Sequence, residues 1–102
     1  MIIGTIIQQP NEVLDYEIQY DNFFKEFLTD ESADTILEPG GLSVKVEVEG
    51  ELSATVFYVN DAKCKVVLQG GLTGTTYKVT VTMTSVAGRV KEDELLVIIE
   101  EF

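Results

Sequence analysis

A two-residue alternation of apolar and polar side chains constrains the fold of this chain more than any other feature of its sequence. The pattern is clearest after Tyr77, where Val79, Val81 and Met83 alternate with three threonines. Successive side chains of a β-strand point to opposite faces of its sheet, so this period predicts a strand with one buried face. Glycines precede the segment and an Ala-Gly-Arg turn follows it, so we expect the strand to span residues 75–85.

Similar segments recur along the chain and predict an all-β protein. Turn signals that contain glycine, proline or asparagine separate them. The further predicted strands are residues 2–7, 14–20, 35–37, 42–49, 52–59, 64–68 and 92–99. About seven or eight short strands with frequent turns favour an immunoglobulin/fibronectin type III-like antiparallel β-sandwich. The last strand is apolar enough for part of its length to be covered on both faces.

One segment departs from the alternation and carries a candidate interaction surface. Phe23 and Phe27 are four residues apart, as are Phe24 and Leu28, and this spacing predicts a short helix or turn near residues 22–28. One or two of these aromatic side chains are expected to plug an end of the core. Because aromatic residues are favoured at interface centres, we also expect at least one phenylalanine to contact a partner protein.

The N-terminal strand is the second candidate interaction surface. Its apolar residues are Ile2, Ile3, Ile6 and Ile7. The segment has no basic residues before it and is shorter than the apolar core of a signal peptide, and no run in the chain approaches the length of a transmembrane helix. We expect the strand either to close an edge of the sandwich or to pair with a neighbouring chain.

Length and charge bound the class of protein and the class of partner. A chain of 102 residues with 45% hydrophobic residues fits a single β-sandwich domain over residues 1–102. The formal net charge is −11, from 18 acidic and 7 basic residues. This balance disfavours nucleic acid and anionic membranes as partners. It favours partners that bring positive charge or apolar pockets.

The residue types needed for common catalytic and metal sites are missing. The sequence has no histidine, and Cys64 is its only cysteine, which excludes the usual zinc sites, Ser-His-Asp or Cys-His catalysis and an intrachain disulfide. We therefore predict no catalytic residue, no bound metal and no cofactor. Cys64 is expected to be a small buried apolar residue of a strand.

Carboxylate clusters are the remaining candidates for chemistry. They comprise Asp30, Glu31 and Asp34, then residues 92–94, then residues 100–101. We interpret each cluster as a solvated turn or a charged guard of a sheet edge. Weak calcium binding by the first cluster remains an alternative because hard oxygen ligands are present, although no loop glycine or ligand spacing accompanies them.

Tyr77 and Gly74 are predicted to form a structural corner. In Greek-key sandwiches a tyrosine at the start of the penultimate strand often packs its ring in the core and bonds its hydroxyl to backbone a few residues upstream. The alternative is an ordinary core tyrosine with its hydroxyl at the rim. Gly70 and Gly71 are interpreted as turn residues, since no phosphate-binding pattern follows them.

Several segments together resemble small immunoglobulin-like structural proteins of tailed bacteriophages, of the fiber–tail adaptor type. The resemblance is carried by Pro10, by Asp15-Tyr16 with Ile18, by Asp34-Thr35-Ile36, by GGLTGTTYKVT at residues 70–80 and by TSVAGR at residues 84–89. Two departures are present: Tyr20 stands where that family usually has tryptophan, and the middle of the chain, residues 46–63, is longer and more acidic.

The resemblance implies a non-enzymatic virion protein, an adaptor that joins tail or neck to fibers through its N-terminal strand and loops. It implies tail, neck or fiber subunits as partners, several copies in a symmetric assembly, and synthesis in the host cytoplasm before incorporation into the virion. Two alternatives are a capsid decoration or cement protein and a carbohydrate- or cell-surface-binding β-sandwich module. The second of these would favour exposed tryptophan, which this chain lacks.

Overall fold

The chain forms two β-sheets that pack face to face. The structure is a computed structural model that describes residues 2–25, 34–47 and 52–101. Its strands are β1 Ile2–Gln8, β2 Val13–Gln19, β3 Leu42–Val46, β4 Leu52–Asn60, β5 Lys63–Gly70, β6 Thr76–Thr84 and β7 Val90–Ile99. One short helix, α1, spans Asp21–Lys25.

The strands are divided between a four-stranded and a three-stranded sheet. The first has the order β1-β7-β6-β3 and the second the order β2-β5-β4. Four of the strand pairs are antiparallel, and β1 is parallel to β7. The predicted all-β sandwich is therefore confirmed, with one parallel edge strand that the prediction did not contain. Its specific assignment as immunoglobulin/fibronectin type III-like stays a prediction.

The alternation in β6 builds the centre of the core. Tyr77, Val79, Val81 and Met83 have no exposed surface, and they face the buried side chains of the other sheet. In β7 the matching inward residues are Leu95, Val97 and Ile99, while the side chains between them lie half-buried on the outer face. We expected part of this strand to be covered on both faces. Within the described residues, only its inner face is fully buried.

The predicted strand at residues 35–37 is wrong, because only Ile36 forms a bridge, with Ser85. A turn begins directly after it, where the Gly41 amide donates to the Leu37 carbonyl at 2.9 Å. Gly41 lies so close to the carbonyls of Leu37 and Thr84 that a side chain there would collide with both. The chain therefore reverses before a second bridge to the β6 side can form.

Helix α1 follows β2 without a connecting loop. The Tyr20 amide donates to the Ala62 carbonyl at 2.7 Å, and the Tyr20 carbonyl accepts from the Phe24 amide at 3.0 Å. The predicted helix near residues 22–28 is present through Lys25, whereas Phe27 and Leu28 lie outside the described residues. No helix in the described ranges has the length and apolar character needed to cross a membrane.

Candidate interaction surface

The first candidate surface is β1, which lies at the edge of the four-stranded sheet. Strand β1 pairs with β7 of the same chain. It therefore closes an edge of the sandwich, which was one of the two arrangements expected from the sequence. Ile3 and Ile7 are 40% and 55% exposed, whereas Ile6 packs partly against the core. Ile2 begins the strand. The structure thus presents two isoleucines at this edge, and their contact with a partner stays a prediction.

Gln8 fastens the end of β1 to the opposite sheet. Its buried amide nitrogen Nε2 donates to the Leu68 carbonyl of β5 at 3.0 Å and to the Glu12 carbonyl at 3.1 Å. The Tyr16 hydroxyl donates to Gln8 Oε1 at 3.4 Å. The predicted strand ended at residue 7, so sequence analysis assigned no role to Gln8. The available signal was its inward position in the alternation Gly4, Ile6, Gln8, where a glutamine must find partners.

The second candidate surface is the aromatic segment of α1. Phe24 is a core residue, and its ring lies 6.3 Å from the Tyr20 ring and 5.6 Å from the Phe23 ring, in an edge contact. Phe23 is half-buried at the sandwich surface. The third predicted interface residue of this segment, Phe27, lies outside the described residues. Of the two described phenylalanines, Phe24 therefore packs in the core, and Phe23 is the one with surface left for a neighbour.

A cleft of about 600 Å³ brings the two candidate surfaces together. It lies between β1, β2, α1 and β7, and its lining includes Ile3, Ile18 and Phe23 together with the charged residues Lys91 and Asp93. Ile3 and Phe23 are twenty residues apart and were predicted as parts of separate surfaces. The fold makes them two walls of one cleft.

Asp93 lies on the inward face of β7, where the alternation places apolar residues. Only 2% of its surface is exposed, so the prediction that residues 92–94 form a solvated guard is wrong for this residue. Glu92 is exposed on the other face, and Glu94 pairs there with Lys78 at 3.3 Å. Three successive acidic residues suggest a solvated segment, which led to the error. In a strand, however, successive side chains point to opposite faces, so the middle residue points away from the face that its two neighbours share.

The core holds a second buried polar group, the Tyr20 hydroxyl. The Tyr20 hydroxyl is 3.8 Å from the sulfur of Cys64, and neither side chain is appreciably exposed. Burial raises the pKa of the Tyr20 hydroxyl far above its usual value, and Cys64 and Asp93 raise it further. Burial also raises the pKa of the Cys64 thiol. Cys64 is a buried, free cysteine, as predicted.

Tyr77 and the glycines before it form a tight entry into β6. The Leu72 amide, five residues upstream, donates to the Tyr77 hydroxyl at 3.0 Å. The Gly74 amide donates to the Ile99 carbonyl at 2.7 Å, and its φ is +83°. A Cβ on Gly71 would lie 2.6 Å from Ile99 Cγ1, so this glycine is required by packing as well as by its φ of +101°. That packing was not visible in the sequence.

Asp34 is engaged with backbone and arginine groups. Its Oδ2 accepts from Arg89 Nη1 at 2.8 Å, and its Oδ1 accepts from the amides of Thr35 at 2.9 Å and Ala87 at 3.0 Å. Burial by itself raises the pKa of the Asp34 carboxyl, but hydrogen bonds, the largest from Ser85, outweigh it and hold the pKa below its usual value.

The calcium alternative stays a prediction, because the structure describes only Asp34 of its three residues. Asp30 and Glu31 lie outside the described residues, and the Asp34 oxygens serve Arg89 and two amides. Within residues 2–25, 34–47 and 52–101, no three acidic or cysteine side chains are grouped to hold a metal ion. Glu100 and Glu101 are exposed after β7, as predicted for a solvated cluster.

Comparison with known families identifies a matching family model. A family model described as Gp77, podophage GP4 fiber-tail adaptor protein gp77, matches residues 8–98. The matched range includes α1, strands β2 to β6 and all of β7 except Ile99, and Ile2, Ile3, Ile6 and Ile7 of β1 precede it. A search for individual curated relatives found no match.

Proposed function

This chain belongs to the podophage GP4 fiber-tail adaptor family, and from that premise we propose that it is a non-enzymatic virion protein that joins the tail or neck to the fibers. The match over residues 8–98 is the observation that carries the proposal. The chain is made in the host cytoplasm and acts in the assembled particle. Its partners are tail, neck or fiber subunits, and neither nucleic acid nor membrane is among them.

The mechanism is rigid presentation of an edge. The two packed sheets hold β1 and α1 in fixed positions, so that Ile3, Ile7 and Phe23 are offered to a neighbour without reordering the chain. A preorganised surface loses little conformational entropy on binding. Several copies in a symmetric ring would add to the affinity because each further contact becomes intramolecular.

The charge distribution supports a partner that is basic where it meets this chain. Most of the basic side chains already serve internal ion pairs, namely Lys63 with Glu17, Lys78 with Glu47 and Glu94, Arg89 with Asp34, and Lys91 with Asp93. The surplus of acidic groups therefore remains for partners. A complementary basic surface would speed association and disfavour wrong partners.

Deletion and complementation in the parent phage tests the proposed function. Particles that lack this chain are expected to carry tails without fibers in electron micrographs, and supplying the wild-type chain restores the fibers. Ile7→Asp should fail to restore them, because it places a charge on the exposed apolar edge. Val86→Asp is the matched control, since Val86 is similarly exposed but lies in a turn away from β1.

Two results would contradict the proposed function. If mass spectrometry does not detect this chain in purified virions, it is not a virion protein. If particles that lack the chain still carry complete fibers, the chain is not needed for fiber attachment. Labelled chain on the capsid shell would favour the decoration-protein alternative instead.

A further inference from the structure

We propose that the cleft between β1, β2, α1 and β7 receives a basic side chain, flanked by apolar residues, from a neighbouring virion protein. The existence of such a neighbour rests on the proposed function. The chemistry of the occupant rests on the cleft itself: apolar walls, a carboxylate at depth and an aromatic ring that already faces a cation.

The walls suit the apolar residues that would flank the basic group. Ile3 from β1, Ile18 from β2 and Phe23 from α1 line the cleft. Ile3 is 40% exposed, so an occupant of the cleft can reach it. A segment bound at the mouth of the cleft would cover these side chains and direct one of its own into the cleft.

The Asp93 carboxylate supplies the recognition of positive charge. Its Oδ1 is buried and has no hydrogen-bond donor among the described residues. Lys91 Nζ lies 3.2 Å from this oxygen and attracts it, but the contact does not have hydrogen-bond geometry. A buried acceptor without a donor is unfavourable. A guanidinium or ammonium that enters the cleft would provide the missing donor.

Phe23 shows that the same site accommodates a cation. Lys91 Nζ lies 5.4 Å from the centre of the Phe23 ring, within the range of a cation–π contact. Two carboxylates, Glu17 and Asp93, and one ammonium, Lys91, are the charged groups of the lining, so the cleft has a net negative charge even though Glu17 also pairs with Lys63. An anionic occupant would meet this charge and the net charge of −11 on the whole chain.

A peptide titration tests the proposal on the isolated full-length protein. The probe is acetyl-Leu-Arg-Leu-amide, and the readout is the backbone amide shifts of the ¹⁵N-labelled chain. We expect saturable shifts at Phe23 and Lys91 but not at Thr55, which lies on the distant β4. The same peptide with citrulline in place of arginine keeps the shape without the charge, and its affinity is expected to be at least about tenfold lower.

Two pairs of variants locate the binding site. Asp93→Asn should abolish the preference for arginine over citrulline, whereas Glu92→Gln, which removes a charge from the outer face of the same strand, should retain it. Phe23→Leu should weaken binding, whereas Phe57→Leu should not, although Lys65 lies 5.9 Å from the centre of the Phe57 ring. Amide spectra of each variant verify its fold, and Phe23→Leu keeps the test available if Asp93→Asn does not fold.

Equal binding of the arginine and citrulline peptides would overturn the proposal, as would shifts scattered over the acidic surface or no saturable shifts. These results are independent of the proposed function. If the peptide does not bind but fiber attachment still requires the chain, only the cleft proposal is contradicted. If the peptide binds specifically but deletion of the chain leaves the fibers in place, only the adaptor role is contradicted.

Discussion

Arg89 Nη1 lies 2.8 Å from Asp34 Oδ2, and this contact joins two positions that are 55 residues apart in the chain. Asp34 begins the Asp34-Thr35-Ile36 segment, and Arg89 ends the segment TSVAGR. Both segments carried the resemblance to phage adaptor proteins. Their contact gives a physical reason why the two segments occur together in one chain. The Asp34 carboxylate fixes the turn between β6 and β7 against the segment before β3.

Asp34→Asn is expected to destabilise the fold by about 1–3 kcal/mol at neutral pH, because it removes a buried charged acceptor. A carboxyl whose folded-state pKa is lowered adds stability above its unfolded-state pKa and loses it as pH falls through the folded-state pKa. Chemical denaturation should therefore show that the difference in free energy of unfolding between wild type and variant decreases below about pH 4. A gap that is constant from neutral to strongly acidic pH would contradict this account of Asp34.

Tyr77→Phe tests the proposed corner. The substitution removes the hydroxyl that accepts from the Leu72 amide and leaves that amide without a partner, so we expect a loss of about 1–2 kcal/mol in the free energy of unfolding. Tyr58→Phe is the matched control, because the Tyr58 hydroxyl donates to Asp61 at 2.8 Å in an exposed contact. Equal losses in the two variants would mean that Tyr77 is an ordinary core tyrosine.

Gly71→Ala and Gly74→Ala separate backbone conformation from crowding. Both glycines have positive φ, but a Cβ on Gly74 meets nothing within 4 Å, whereas one on Gly71 collides with Ile99. We expect Gly74→Ala to cost about 1–2 kcal/mol and Gly71→Ala at least about 1 kcal/mol more. Thermal unfolding of the two variants measures the difference, and a smaller loss for Gly71→Ala would contradict the packing described.

The Cys64 thiol should resist modification in the folded protein. It is fully buried and its pKa is raised, so little thiolate is present and reagents cannot reach it. Ellman's reagent is expected to react only as fast as the protein unfolds, and promptly in denaturant. Reaction of the native protein at the rate of a small free thiol would show that the core near Tyr20 opens readily.

Local patterns were sufficient to predict most strands, but not how they are arranged. The alternation at Val79, Val81 and Met83 identifies β6 because burial of one face is a local property of a strand. The parallel pairing of β1 with β7 depends on contacts between the two ends of the chain, for which the sequence has no local signal. Asp93 was wrongly predicted to be solvated. The prediction gave more weight to its charge than to its position in the alternation of inward and outward side chains.

The candidate surface was predicted in parts and assembled only by the fold. Ile3 and Phe23 were each predicted from apolar composition, yet their shared cleft depends on the packing of α1 against β7. Gln8 was missed because a polar residue at the end of an apolar strand looks like a stop signal. Its role appears only once Leu68 of the other sheet lies within hydrogen-bonding distance.

A cryo-electron microscopy map of the parent phage particle, with this chain traced, tests the central claim most directly. The account predicts copies of the sandwich between the tail or neck and the fibers, with β1 and the cleft turned toward a neighbouring protein. Copies on the capsid shell, or a sandwich whose β1 edge and cleft face solvent while other surfaces make every contact, would contradict it.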